Sequence, residues 1–77
     1  MKILRQIDVF DNLTETLVKE LPVDKFDLEI FKKRFDAKKE DPLMYNPYEI
    51  SPSTKDLFPT IIFDFTKYSY YVACYQD

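Results

Sequence analysis

The chain has 77 residues, with 14 acidic and 11 basic side chains and a formal net charge of −3. This length favours a single domain over residues 1–77, and a 45% hydrophobic composition with seven Phe and six Tyr can supply a dense core. The acidic balance argues against a nucleic-acid partner, because phosphate binding requires clustered Lys and Arg. One cysteine excludes an internal disulfide, and the lack of glycine and histidine removes Gly-rich phosphate loops and His-based catalysis.

The first part of the chain predicts a β-hairpin. Residues 3–10 alternate as a strand, and residues 16–21 predict a second strand with Leu17 and Leu21 on one face and Val18 on the other. Between them, residues 11–15 carry Asp and Asn, which bond to their own backbone and favour turns. Pro22 cannot donate to a sheet ladder and is expected to close the hairpin.

Residues 27–36 predict a helix. Asp27 is a suitable N-cap, and Phe26 before it can pack on Phe31 as a hydrophobic staple. Leu28, Phe31 and Phe35 recur at helical spacing and define a buried face. Basic residues fill the last turn, where they suit the helix dipole and lie in solvent.

Residues 37–50 read as an irregular link that lies on the body of the domain, since Asp-Pro and Asn-Pro pairs mark turns. Ser51 followed by Pro52 then predicts the start of a second helix. Pro59 should end or kink this helix near Phe58. Its expected buried face consists of Leu57, Phe58, Ile61 and Ile62.

Residues 65–75 form the densest run of β-forming residues and predict the last strand. Both of its faces are apolar, so either both are covered or one is a Tyr-rich surface for a partner. One face carries Tyr68, Tyr70, Val72 and Cys74, and the other carries Phe65, Tyr71, Ala73 and Tyr75. The predicted fold is α+β, a small antiparallel three-stranded sheet with two helices on one face, in the order strand-strand-helix-helix-strand. The first strand is expected to be central and to pair with the last.

The residue types argue against catalysis. Cys74 has no histidine to activate it and lies in a predicted strand, which indicates a buried structural thiol. A pair of carboxylates could act on glycosides but would need a cleft that so short a chain hardly supplies. No spacing resembles a calcium loop. We therefore expect no enzyme activity, no cofactor and no metal, with a carboxylate enzyme as the least favoured reading.

Surface recognition remains, because Tyr brings a large rigid area with a polar tip and is enriched at interfaces. Each Tyr could equally be a half-buried core residue with a hydrated hydroxyl. Two surfaces are candidates for binding a protein partner. The first is the link segment with Glu40, Asp41, Tyr45, Tyr48 and Glu49, and the second is the outer face of the last strand with Tyr71, Tyr75 and Asp77.

Several stretches together resemble small bacterial immunity-type proteins. These stretches are residues 7–11, residues 17–22, Asp27-Leu28 with Phe31 and Phe35, Asp41-Pro42 before Tyr45, Tyr48 before Ile50, and Tyr68 to Tyr75. Such proteins accompany polymorphic toxins, including those of contact-dependent growth-inhibition systems. The resemblance implies a cytoplasmic protein that binds and neutralises a cognate toxin domain, often a basic nuclease. It transfers no binding residues, because immunity surfaces differ from toxin to toxin.

An alternative is a non-catalytic structural or regulatory subunit that docks on a larger protein or self-associates through a sheet edge. A neighbouring toxin gene would favour the immunity hypothesis over the docking-subunit hypothesis. No apolar run approaches the roughly 20 residues of a membrane span, so no membrane partner is expected.

Overall fold

The computed structural model describes residues 3–76 and shows one antiparallel sheet of four strands with a single short α-helix. In chain order the elements are β1 (Ile3–Asp11), β2 (Leu17–Pro22), α1 (Leu28–Arg34), β3 (Tyr48–Ile50), a 3₁₀ helix (Lys55–Leu57) and β4 (Tyr68–Gln76). The strand order is β2-β1-β4-β3, so β1 and β4 are central and β2 and β3 are edges.

The predicted fold class is wrong in its number of strands and in its number of helices. The sheet has four strands rather than three, and the described residues contain one short α-helix rather than two, which makes this a mostly-β domain. The additional strand, β3, lies inside the segment that was expected to be irregular. It has only three residues between Pro47 and Ser51-Pro52, which is too short to display a strand period in the sequence.

The second predicted helix is reduced to the 3₁₀ turn. The predicted cap does form, because the Ser51 hydroxyl accepts from the backbone N–H of Ser53 at 3.3 Å and the Ser51 carbonyl accepts from those of Thr54 and Lys55, both at 3.0 Å. The backbone bonds that follow span three residues, so the segment continues only as a 3₁₀ turn. Its continuation is blocked at Pro59, which has no N–H to donate. Ile62, expected to be buried on the helix, is consequently 96% exposed.

The hairpin and the central position of the first strand are confirmed. β1 pairs with β2 and with β4, and both pairings are antiparallel. The β1–β2 register shifts between Val9 and Phe10, a bulge that inserts one residue into β2.

The predicted start of α1 is also confirmed. The Asp27 carboxylate accepts hydrogen bonds from the backbone N–H groups of Glu29 and Ile30, and the rings of Phe26 and Phe31 lie 4.6 Å apart. The helix is shorter than expected because Asp36 takes a left-handed φ of 52°. The N–H groups of Asp36 and of the next residue then bond back to the last turn, closing it as a Schellman motif.

The core lies on one face of the sheet. Buried side chains from all parts of the chain meet there: Ile7, Val9, Phe31, Met44, Ile50, Phe58, Tyr70 and Val72. The helix and the long loops cover this face, and the opposite face has no buried side chain among residues 3–76. Cys74 points to the covered side but is half-buried, not buried as expected. None of the helices in this range is long and apolar enough to cross a membrane.

Candidate functional site

The uncovered face of the sheet, here called the open face, is the surface that the fold leaves available. Strand alternation places on it Leu4, Gln6, Asp8 and Phe10 from β1, Leu17 and Glu20 from β2, Glu49 from β3, and Ser69, Tyr71, Ala73 and Tyr75 from β4. All of these side chains are half-buried or exposed. No Lys or Arg occurs among these positions.

A row of three acidic residues and one tyrosine, here called the acidic row, crosses the open face with one member on each strand. The cross-strand partners in this row are Glu20, Asp8, Tyr71 and Glu49, in that order from edge to edge. Directly opposed like charges destabilise a sheet, so the pairing of Asp8 with Glu20 lowers the stability of the β1–β2 hairpin. The Gln6 side chain relieves part of it, because its amide nitrogen donates to Asp8 at 2.6 Å and to Glu20 at 2.7 Å. The fold thus holds the two carboxylates together without a cation.

Two aromatic rings lie beside this acidic row. Phe10 and Tyr71 meet edge to face, with ring centroids 5.7 Å apart. The Tyr71 hydroxyl makes no hydrogen bond to any residue in the described range. Tyr75, further along β4, is also exposed. The open face therefore combines negative charge with aromatic area, a composition suited to a positively charged protein surface.

A groove of roughly 400 Å³ opens at the hairpin end of the open face. Its lining consists of Asp8, Phe10, Asp11, Asn12, Glu15, Pro47, Ser69 and Tyr71. Asp11 fixes the hairpin loop that forms one wall of the groove. Its carboxylate accepts from the backbone N–H groups of Leu13 and Thr14 at 2.8 and 3.1 Å. These bonds, that of Thr14 first, hold the pKa of Asp11 below its ordinary value, so this carboxylate is ionised at neutral pH.

The other wall of the groove is fixed by Asn12. Its backbone N–H donates to the carbonyl of Lys67 at 2.9 Å, and its side-chain oxygen accepts from the Ser69 hydroxyl. The hairpin loop is thereby tied to the chain that leads into β4. The groove is a preformed feature of the fold, not a gap between independent loops.

The link segment is organised by an internal acid. Asp41 is only 5% exposed, and its carboxylate accepts from the backbone N–H groups of Tyr45 and Asn46 and from the Tyr48 hydroxyl, at 2.8, 3.0 and 2.8 Å. The polar groups of Asp41 and Tyr48 therefore stabilise the link segment internally, and little of their side-chain surface is available to a partner.

Arg5 completes this loop from the sheet side. Its guanidinium donates to the carbonyls of Leu43, at 2.7 Å, and of Met44, and lies 4.1 Å from the centre of the Phe26 ring. Met44 is buried with a left-handed φ of 53°. A charged residue on the core face of β1 is thus explained by the carbonyls that it binds.

The residues predicted to bind a partner fall into three groups. Glu49, Tyr71 and Tyr75 come together on the open face, with Glu49 directly opposite Tyr71. The other described residues of the set lie on the link: Glu40 and Tyr45 are exposed there, and Asp41 and Tyr48 are turned inward. Asp77 lies outside the described residues.

The acidic residues of the first hairpin were not among the predicted site residues. Asp8 and Phe10 alternate with the core residues Ile7 and Val9, which is a readable signal that they share the opposite face. The hairpin register then places Glu20 opposite Asp8. Among residues 3–76 no group of three or more acidic or cysteine side chains has the arrangement of a metal site.

The fold and this surface define a small mostly-β domain with one acidic, aromatic sheet face left open. Residues 4–73 match a domain of unknown function, DUF7683, and the chain belongs to that family. No curated protein and no solved structure matches the chain.

Proposed function

We propose that this protein is an immunity protein that binds a cognate bacterial toxin domain in the cytoplasm and neutralises it without catalysis. The observation that supports this proposal best is the row of Glu20, Asp8, Tyr71 and Glu49 across an uncovered sheet face. A rigid sheet that holds like charges together, with aromatic rings beside them, is suited to binding a basic protein surface. Toxin nucleases are a class of protein whose substrate sites are basic.

Long-range attraction adds to this fit. A face with one sign of charge raises the association rate of an oppositely charged partner and disfavours wrong partners. The same charges disfavour a second copy of this chain on the open face, because two acidic rows would then oppose each other. The partner that the open face favours is a different, basic protein.

The sheet edges are less suited to binding than the face. β2 carries a bulge beside Val9 and Phe10, a charged Lys19 and the terminal Pro22, three features that discourage strand addition. β3 has only three residues, so it offers little backbone to a partner strand. These features support face-on docking over self-association through an edge. A regulatory subunit docking on a larger complex would use the same open face and is the alternative function.

Growth protection distinguishes the two functions. In the source genome we expect an adjacent gene for a toxin, and co-expression of this chain should restore the growth of cells that the toxin domain otherwise kills. The double variant Asp8→Lys, Glu49→Lys should lose this protection, because it reverses the charge of the acidic row. The control is Glu29→Lys, which makes half of that charge change at an exposed residue on α1, away from the open face.

Failure of the wild-type chain to protect cells against the adjacent toxin would contradict the immunity function and favour the docking alternative. Loss of protection in the Glu29→Lys control, with the double variant still protective, would place the interface on the helix side. Thermal melting of each variant shows whether lost protection reflects unfolding.

A further inference from the structure

The groove at the hairpin end of the open face is lined by acidic and aromatic side chains. The polar groups that line it are three carboxylates, those of Asp8, Asp11 and Glu15, the Tyr71 hydroxyl, and the Asn12 amide and Ser69 hydroxyl, which bond to each other. The Asn12 amide nitrogen donates to the carbonyl of Phe65. The rings of Phe10 and Tyr71 form its apolar part. No positively charged side chain is among the residues that line it.

Several of these acceptors are free to bind. One oxygen of Asp8 accepts from Gln6, and one oxygen of Asp11 accepts from the loop backbone, so each carboxylate keeps its second oxygen. Glu15 makes no side-chain hydrogen bond within residues 3–76. A ligand that carries several donors and a positive charge would complement these acceptors.

We infer that this groove receives an arginine side chain from the basic protein partner. A guanidinium is planar, carries five N–H donors and stacks on aromatic rings, so it can contact Phe10 or Tyr71 while donating to the carboxylates around them. The methylene groups of the same side chain would lie against the rings and Pro47. This inference rests on the proposed function for the identity of the partner, since it names the part of that partner that enters the groove.

The test uses isolated amino-acid amides and needs no toxin. Nα-acetyl-arginine amide is titrated into the full chain and followed through the NMR signals of Phe10, Glu15 and Tyr71. We expect saturable shifts at these residues with a dissociation constant of about 1–10 mM, the range for a single side chain. The citrulline analogue, which has the same shape without the charge, should produce no saturable shift, and the lysine analogue should bind at least about threefold more weakly because it lacks the planar donor array.

Two variants locate the binding. Glu15→Gln should weaken arginine binding about threefold to tenfold, whereas Glu29→Gln, the same chemical change on α1, should leave it unaltered. Tyr71→Leu, whose folding is verified by thermal melting, should weaken binding by removing the ring. Shifts that are equal for arginine and citrulline, or equal for arginine and lysine, or that occur away from the groove, would overturn the inference.

The outcomes also separate this inference from the proposed function. Arginine binding in the groove of a chain that fails to neutralise the toxin would leave the groove assignment standing and remove the immunity function. Neutralisation by a chain whose groove does not bind arginine would do the reverse.

Discussion

Asp41 is both charged and buried, so its carboxylate oxygens must be compensated by hydrogen-bond donors. Two backbone N–H groups and the Tyr48 hydroxyl supply this compensation. Burial by itself would raise the pKa of Asp41, but the hydrogen bonds, that of Tyr48 first, outweigh it and hold the pKa below its ordinary value of 3.8. The folded chain therefore takes up a proton at Asp41 less readily than the unfolded chain does.

This shift predicts a loss of stability in acid. A carboxyl group whose pKa is lowered by folding contributes stability above its unfolded pKa of about 4 and loses it as the pH falls through the folded value. Asp11, whose pKa is also lowered, acts in the same direction. We expect the free energy of unfolding, measured in urea between about pH 7 and pH 2, to decline below about pH 4.

The variant Asp41→Asn isolates the contribution of this residue. Its amide cannot titrate and replaces one acceptor oxygen with a donor. Depending on the amide orientation, the variant loses either the bonds from Asn46 and Tyr48, which share Oδ2, or the bond from Tyr45 to Oδ1. We expect it to be less stable than wild type at neutral pH and to lose less stability on acidification. An acid profile with the wild-type slope would assign the pH dependence to other carboxylates.

At the scale of elements, α1 stabilises the domain through one buried side chain. Phe31 lies among the rings of Phe26, Phe35 and Phe58, with centroid distances of 4.6, 5.9 and 5.5 Å. We expect Phe31→Ala to reduce the free energy of unfolding by about 3–5 kcal/mol, because a large cavity opens in a small core. For a domain of this size, such a loss is a large part of the total stability.

Ile30 provides the matched control on the same helix, since it is 50% exposed. Ile30→Ala should cost less than about 1 kcal/mol, because little buried surface is removed. Urea unfolding of both variants measures the difference. Similar losses in the two variants would mean that α1 does not dock through the Phe31 face.

Features that depend on neighbouring residues were predicted from the sequence more completely than features that depend on contacts across the fold. The hairpin and the Asp27 cap depend on neighbours within a few residues, and both were readable. The second helix was only partly readable, because its Ser51 cap forms but the turn that follows is a 3₁₀ helix of three residues that ends before Pro59. Asp41 looked like a surface acid because its burial depends on the Tyr48 side chain seven residues away and on Arg5 across the fold.

Part of the candidate site was predictable from strand alternation, and the rest depends on strand pairing between distant segments. The alternation of the last strand placed Tyr71 and Tyr75 on one face, but only the pairing of β3 with β4 brings Glu49 beside Tyr71. β3 is too short to recognise from its residues alone.

At the scale of the whole molecule, basic side chains are excluded from the open face. That face carries Asp8, Glu20 and Glu49, whereas α1 packs on the covered face and carries Lys32 and Lys33 together with acidic Glu29. The only ion pair within residues 3–76 joins Arg34 to Asp56, and its exposure makes its contribution small. The chain should therefore approach a basic partner with its open face leading.

This asymmetry predicts different kinetic effects for charged and aromatic residues of the open face. Glu49→Lys should slow association with the proposed toxin partner at low salt, and the difference from wild type should shrink at about 1 M salt, where the screening length is about 3 Å. Tyr71→Ala should instead speed dissociation about 30-fold at both salt concentrations, the change that corresponds to about 2 kcal/mol for a buried aromatic anchor. Surface plasmon resonance at low and high salt measures both rates.

Lys33→Glu on α1 is the control, because it changes the net charge by as much as Glu49→Lys does but lies on the far side of the molecule. It should leave the dissociation rate unchanged. If Lys33→Glu instead abolishes binding while the Glu49 and Tyr71 variants bind as wild type, the basic side of the molecule contacts the partner. The acidic row would then be a solvated surface whose like-charge pairing of Asp8 and Glu20 is tolerated because Gln6 bridges the two carboxylates.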